Sequence, residues 1–270
     1  MRSLHADRFN HDTEVDGYDA GVADESNPVR DGYALTLDWV IRSVAAGSTD
    51  VVIDLGTGTG NLAVRLGPVA RLVCVDVSAG MLAVARTKLP PPTQYVESDL
   101  LEFVDRAPSC DVVISTYAIH HLVAQEKIAL LAGLFGRLRA GGRIAIGDLM
   151  VADADGIADL RDRLAHPDVD ELFAEEFPWL VGDARRDLES VGFVAVRAEQ
   201  TGVLSWGLAA TKPERVRRSP AVVLAVGLAP GRDARNACSD PEVVRPVGRA
   251  GVRARRRAAT SRRSPATTRS

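Results

Sequence analysis

Val51-Val52-Ile53-Asp54-Leu55-Gly56-Thr57-Gly58-Thr59-Gly60-Asn61-Leu62 is the stretch whose reading decides the fold. The near-continuous apolar run before Gly56 suits a central parallel strand covered on both faces. Gly56, Gly58 and Gly60 then let the backbone turn tightly and approach a ligand closely, since no Cβ stands in the way. The residues from Asn61 to Gly67 are expected to form a helix whose first N–H groups face whatever sits over the turn. A Gly-x-Gly-x-Gly loop also occurs in plain tight turns, so its weight depends on the strands next to it in the chain.

Twenty residues after Gly56, Leu72-Val73-Cys74-Val75-Asp76 reads as a second apolar strand ending in a carboxylate. In a doubly wound sheet Asp76 then lies beside the glycine loop, where it can accept hydrogen bonds from both hydroxyls of a ribose. A third strand, near Thr93–Glu97, runs into Ser98-Asp99-Leu100. A fourth, Asp111–Ser115, leads into Thr116-Tyr117-Ala118-Ile119-His120-His121. All four strand ends fall on one edge of the sheet, the ligand edge of open α/β folds. Any one of these acids could be a solvated strand-end carboxylate. Their order and spacing with the loop argue for a site.

The remaining elements extend the same pattern. Pro28–Val44 has helical spacing, with Asn27 as its cap and Pro28 at its first position. Ser78 should cap a helix over Ala79–Lys88, and Pro90-Pro91-Pro92 separates it from the third strand. A helix over Ala124–Leu138 should bury Ile128, Leu131, Leu134, Phe135 and Leu138, before Gly141-Gly142 leads into a fifth strand, Arg143–Leu149. Phe193–Glu199 and Val203–Thr211 read as two strands. Their short link, Gln200-Thr201-Gly202, can join antiparallel neighbours but not parallel ones.

Composition bounds the function. With 270 residues, 46% of them hydrophobic, the chain can bury a sizeable core over about 200 residues. It contains no apolar run of membrane-spanning length, and its first residues lack the apolar core of a signal peptide. Cys74, Cys110 and Cys238 are too scattered for a disulfide framework or a zinc site, and a cytoplasmic location is expected. Residues 214–270 hold 14 arginines against four acidic residues, so the formal charge of −3 divides into +10 there and −13 over residues 1–213. An acidic body argues against nucleic-acid binding by the domain. The tail lacks aromatic residues to stack bases, and disorder is its expected state, with an out-of-frame extension or a basic arm as alternative readings.

On these residues the chain resembles the class I S-adenosylmethionine-dependent methyltransferases over about residues 5–212. It is most similar to the small bacterial methyltransferases of the YrrT type. The matching stretches are Gly-Thr-Gly-Asn-Leu (58–62), Ser-Thr-Tyr-Ala-Ile-His-His-Leu (115–122) and Glu-Lys (126–127). The resemblance implies a Rossmann-like, mostly parallel seven-stranded sheet of order 3-2-1-4-5-7-6, its last strand antiparallel, flanked by helices. It implies a methyltransferase domain over residues 1–213, with an N-terminal lid segment at about 1–46. Asp54, Gly56, Gly58 and Gly60 would lie under the methionyl part of S-adenosylmethionine. Asp76, with Val77, would take the ribose, and Asp99, with Leu100, the adenine. Ser115 and Tyr18 complete the expected cofactor contacts.

The implied chemistry is transfer of a methyl group to an unidentified, small-molecule acceptor, leaving S-adenosylhomocysteine. A transfer from a sulfonium needs alignment above all, and a base where the acceptor must lose a proton. His120 and His121, in the loop after strand four, are the candidate bases, although a histidine there can equally hold the loop. Tyr18 can close over the methionyl carboxylate, while Phe9 and Tyr33 can line an acceptor pocket or simply pack the first helix. Asp7, Asp12, Glu14 and Asp16 read as solvated charges. His5 and His166 show no metal-ligand pattern, and no metal is expected. Two other readings stay open: a cofactor-binding regulatory protein without transfer, and a nicotinamide-dependent oxidoreductase, against which the Gly-x-Gly-x-Gly spacing and Asp99 both speak.

Overall fold

The structure is a computed structural model that describes residues 1–214 other than Phe9 and Glu14. Cys238 and the basic tail beyond Glu214 lie outside the described residues, so the expectations for them and for Phe9 and Glu14 are not addressed by the fold.

One sheet organises the chain. Its strands are β1 (Val51–Leu55), β2 (Arg71–Asp76), β3 (Thr93–Glu97), β4 (Cys110–Thr116), β5 (Leu138–Val151), β6 (Trp179–Leu180), β7 (Val194–Gln200) and β8 (Ser205–Thr211). Their order is β3-β2-β1-β4-β5-β8-β7, with the two-residue β6 paired to the end of β5. From β3 across to β5 every pairing is parallel, and β8 runs antiparallel to both β5 and β7. This is the expected sheet. Only the short β6 shifts the numbering of the final hairpin.

Alternation along a strand sends neighbouring residues to opposite faces, and here both faces are covered. Ile53, Leu55, Val73, Val75 and Val113 join one core, while Val52, Leu72, Cys74, Val112 and Ile114 join the other. That double burial is why β1, β2 and β4 read as unbroken apolar runs. The helices are α1 (Tyr18–Val22), α2 (Tyr33–Val44), α3 (Ala79–Lys88), α4 (Leu100–Arg106), α5 (Ala124–Arg137), α6 (Ile157–Leu164), α7 (Pro167–Glu175) and α8 (Val181–Val191). Residues of α4, α5 and α8 fill the first core, and residues of α2, α3, α6 and α7 fill the second. Among the described residues no helix is long and apolar enough to cross a membrane.

Three local expectations are corrected. The segment after the glycine loop is only a 3-10 turn, Ala63–Arg65, because Leu66 is already extended and Gly67-Pro68 follows. The first long helix starts at Tyr33 rather than Pro28, since Gly32 is left-handed at φ 73° and breaks the helical run. Asn27 instead caps a turn, accepting from the Val29 N–H at 3.0 Å. On α5 the buried stripe is Leu130, Leu131 and Leu134, and Ile128 is exposed. The stripe is rotated because Glu126 and Lys127 are buried too, held by hydrogen bonds to Leu4 N and to the Phe177 carbonyl. By contrast, Ser78 caps α3 as expected, accepting from Met81 N at 3.0 Å.

Candidate active site

The carboxyl ends of β1 to β4 open into one cleft, walled by the glycine loop, Asp76-Val77, Ser98-Asp99-Leu100 and Thr116-Tyr117-Ala118, and by His121 and Leu122. Asp76 ends β2 and is tied to both neighbouring turns: its Oδ2 accepts from Gly58 N at 2.7 Å and its Oδ1 from Ser78 N at 2.9 Å. Burial raises its pKa, and those two backbone donors oppose the rise. The carboxylate therefore fixes the loop and still borders the cleft.

The three glycines differ in role. Gly58 has φ +53°, and a Cβ there would meet nothing within 4 Å, so its α-carbon faces open space. Gly56, at φ +66°, would drive a Cβ into the Ala118 methyl. Gly60, at φ +88°, packs against Ala85 of α3 and does not border the cleft. Asp54 and Ser115 lie behind the loop as well. Ser115 Oγ donates to the Leu55 carbonyl at 2.8 Å, joining β4 to β1. Among the described residues the buried Asp54 carboxylate has no well-formed hydrogen bond on either oxygen, since the nearby Thr57 Oγ1 donates to the Asp54 carbonyl (3.1 Å) and only eases the burial penalty. Burial, with the Asp76 charge adding to it, pushes the Asp54 carboxyl up to about 7.

Asp99 caps α4, its Oδ1 accepting from Leu101 N and Glu102 N at 2.9 and 3.2 Å. The same carboxylate also meets the N-terminal segment, since Ser3 donates to it through both its N–H and its hydroxyl. That segment crosses the cleft and is pinned along its length. Leu4 N donates to Glu126 Oε1 at 2.7 Å. Asp12 Oδ1 accepts from Gly80 N at 2.9 Å and Ser78 Oγ at 2.5 Å, so Asp12 is a structural acceptor rather than a solvated charge. Asp19 takes Thr59 Oγ1 at 2.6 Å, Asn61 Nδ2 at 3.0 Å and Lys88 Nζ at 2.5 Å. Tyr18 borders the cleft beside Tyr33, its phenol pushed up to about 12 by burial.

The adjacent histidines part company. His120 is buried away from the cleft: its Nδ1 lies 2.5 Å from Asp148 Oδ1 and its Nε2 3.2 Å from Glu176 Oε2. Asp148 also accepts from the Ile119 and His120 N–H groups, at 2.8 and 3.1 Å. Phe177 N donates to His120 O at 2.9 Å, and the buried Lys127 ammonium donates to Phe177 O. His120 thus holds the loop. His121 turns into the cleft, its ring tilted against those of His11 and His120. Burial, then the charges of His120, His11, Arg30 and Lys127, hold its pKa well below the usual histidine range. Ligand atoms of His120, His121 and Glu176 lie within 4.8 Å of one another, but Asp148 and Glu176 already bracket His120, and Arg30 and Lys127 bring positive charge to the same place.

Sequence reasoning missed Ser3, Asp148 and Glu176. Asp148 left one signal, a lone carboxylate inside the apolar run Ile144–Met150. Ser3 and Glu176 left none, because long-range folding alone brings them to Asp99 and His120.

Fold and cleft define a doubly wound α/β protein with a cleft at its carboxyl strand edge, and comparison with known proteins gives the family. The profile described as "Methyltransferase domain" matches residues 52–142. An uncharacterized methyltransferase of Geobacillus kaustophilus is 33% identical over 208 residues, 75% of this chain and 92% of the relative. Another, from Geobacillus sp. strain WCH70, is 30% identical over 203 residues, 73% of this chain and 94% of the relative. Among solved structures, magnesium protoporphyrin IX methyltransferase from Synechocystis, with S-adenosylhomocysteine bound, superposes with a TM-score of 0.59 at 20% identity, over 77% of this chain and 98% of that one. The chain belongs to this family of methyltransferases.

Proposed function

We propose that the protein transfers a methyl group from S-adenosylmethionine to a small-molecule acceptor in the cytoplasm, within a methyltransferase domain that ends near Pro213. The observation that carries this reading is the convergence of Gly58, Asp76, Asp99 and His121 on one cleft. The donor set fits the cofactor. Gly58 presents its bare α-carbon to open space, Asp76 keeps lone pairs for ribose hydroxyls, and Asp99 offers an acceptor for the adenine amino group. Tyr18 and Tyr33 close the loop side, with Val77 and Leu100 as apolar walls for the ribose and base. Gly56 lines the cleft floor, while Gly60, Asp54 and Ser115 act from behind, shaping the loop rather than touching the ligand.

When bound, the cofactor supplies a methyl group already activated by its sulfonium charge. The chain's own work is alignment and proton handling. His121 faces the cleft and is neutral at pH 7, so it can take a proton from an acceptor heteroatom. His120, clamped between Asp148 and Glu176, positions that loop and is not the base. The test is incorporation of labelled methyl from S-adenosylmethionine into a metabolite extract. The wild type should label a small-molecule fraction, and His121→Gln should label it far less. No labelling above a protein-free control would contradict methyl transfer.

A further inference from the structure

Arg30, a half-buried cation whose charge reaches His121, is not among the residues assigned above to hold the cofactor or to take the proton. Arg30 lies on a turn that is locked from three directions. Asn27 Nδ2 donates to Asp168 of α7 at 2.5 Å. Val203 N donates to Asp31 Oδ2 at 2.7 Å. Gly32 packs so closely on Thr201 and Gly202 that no side chain fits. With its backbone fixed, Arg30 places its guanidinium 5.8 Å from the centre of the Tyr117 ring. Its side chain makes no hydrogen bond or ion pair with any described residue.

Tyr117 is itself held in an uncommon state. It is a bulky residue at φ 49°, a region that few side chains tolerate. Tyr117 N donates to Gly147 O at 2.9 Å, and the phenol is tied to Ser205 Oγ at 2.9 Å. The Tyr33 ring lies 5.2 Å away, its own hydroxyl accepting from Asn61. The strained backbone thus fixes an aromatic shelf between the cleft and the guanidinium. The Arg30 charge also reaches His121 and Glu176, disfavouring the imidazolium and favouring the carboxylate. His121 and Tyr117 line the cleft that holds the glycine loop, whereas Arg30 and Glu176 do not. Glu176 is the carboxylate that could compete for the guanidinium, but that side chain is engaged with His120 at 3.2 Å.

We infer that Arg30, on the Tyr117 shelf beside His121, binds a carboxylate or phosphate carried by the methyl acceptor. Five N–H donors in a planar fork suit such a group, and stacking on an aromatic face leaves the fork free to bind. The inference deepens the methyl-transfer reading by giving the acceptor's chemical class, an anionic small molecule, and it rests on that reading.

The test is titration of inorganic phosphate, and separately of acetate, into the full chain with and without saturating S-adenosylhomocysteine. The wild type should bind at least one of the two anions, and Arg30→Gln should weaken that binding by about tenfold or more. Arg30→Lys, with charge but no fork, should fall between. Neither variant removes a native hydrogen bond, so both should fold. Affinity for S-adenosylhomocysteine should stay within about twofold. Anion binding in either folded variant equal to the wild type overturns the inference. So does a tenfold loss of S-adenosylhomocysteine with unchanged 5′-methylthioadenosine, which lacks the carboxylate, because the guanidinium would then serve the cofactor. If the wild type failed to bind S-adenosylhomocysteine, the methyl-transfer reading would fall, and the anion titration without it would still judge Arg30 separately.

Discussion

Asp76 joins two roles in one side chain, holding the glycine loop through Gly58 N and offering its remaining lone pairs to the cleft. Asp76→Ala should weaken S-adenosylmethionine binding by about 1.5–3 kcal/mol, the scale of a lost charge-assisted acceptor. Unchanged affinity by calorimetry in a folded variant would move the site off β2. His121 gives a pH signature. Its pKa lies well below the usual 6.5, so the folded protein keeps it neutral where the unfolded chain begins to protonate. Methyl transfer should therefore hold steady from about pH 8 to 6.5 and fall only on further acidification. His121→Gln should lower the rate by about 10²–10⁴-fold and leave S-adenosylhomocysteine affinity unchanged. At this scale the sequence was informative where spacing along a strand–turn unit fixes position, as for Gly58, Asp76 and Asp99. It was silent on which of two adjacent histidines faces the cleft. That choice follows from Asp148 on the neighbouring strand, whose carboxylate captures His120.

At the scale of elements, β1 carries a fully buried carboxylate with no well-formed hydrogen bond among the described residues. The folded-state pKa of Asp54, about 7, lies above its ordinary value of 3.8. The native protein thus holds a proton between about pH 4 and 7 that the unfolded chain releases. Stability from this group is full below pH 4 and is lost as pH rises through 7. Asp54→Asn should stabilise the ligand-free protein at pH 8 by about 1–3 kcal/mol, and the gain should vanish near pH 4. Denaturant unfolding at the two pH values measures it, and an equal effect at both would show that Asp54 is ionised throughout. The central strands were legible because double burial leaves an unbroken apolar run. The edges of helices were not. Gly32 ends the helical run from within, and the turn after Gly60 is cut short by Gly67-Pro68, so both patterns promised more helix than folds.

For the whole molecule, the last described residues are bonded back onto the start of β5. Lys212 N donates to Gly142 O at 2.8 Å, Gly141 N returns a bond to Lys212 O at 3.0 Å, and the Lys212 ammonium donates to the Leu138 carbonyl at 2.7 Å. A chain shortened after Pro213 should therefore keep its Tm and its S-adenosylhomocysteine affinity. A drop of several degrees on thermal unfolding would extend the domain into the basic segment. The N-terminal segment is the opposite case: Ser3 and Asp19 bond to cleft residues and Leu4 and Asp12 to the helices α5 and α3 beside them, although their sequence shows no periodicity to announce it. The fold was readable because it repeats one strand–turn–helix unit. The cleft's cover was implied only by the family resemblance, and its individual contacts were not legible, because they join residues up to 122 positions apart.

Whether this cleft takes S-adenosylmethionine is decided by calorimetry of the full chain with S-adenosylhomocysteine and with NAD. One S-adenosylhomocysteine should bind per chain, with the affinity lowered in Asp76→Ala, and NAD should give no heat of binding. Saturable NAD binding with none for S-adenosylhomocysteine would contradict the account and return the loop and Asp76 to a nicotinamide enzyme.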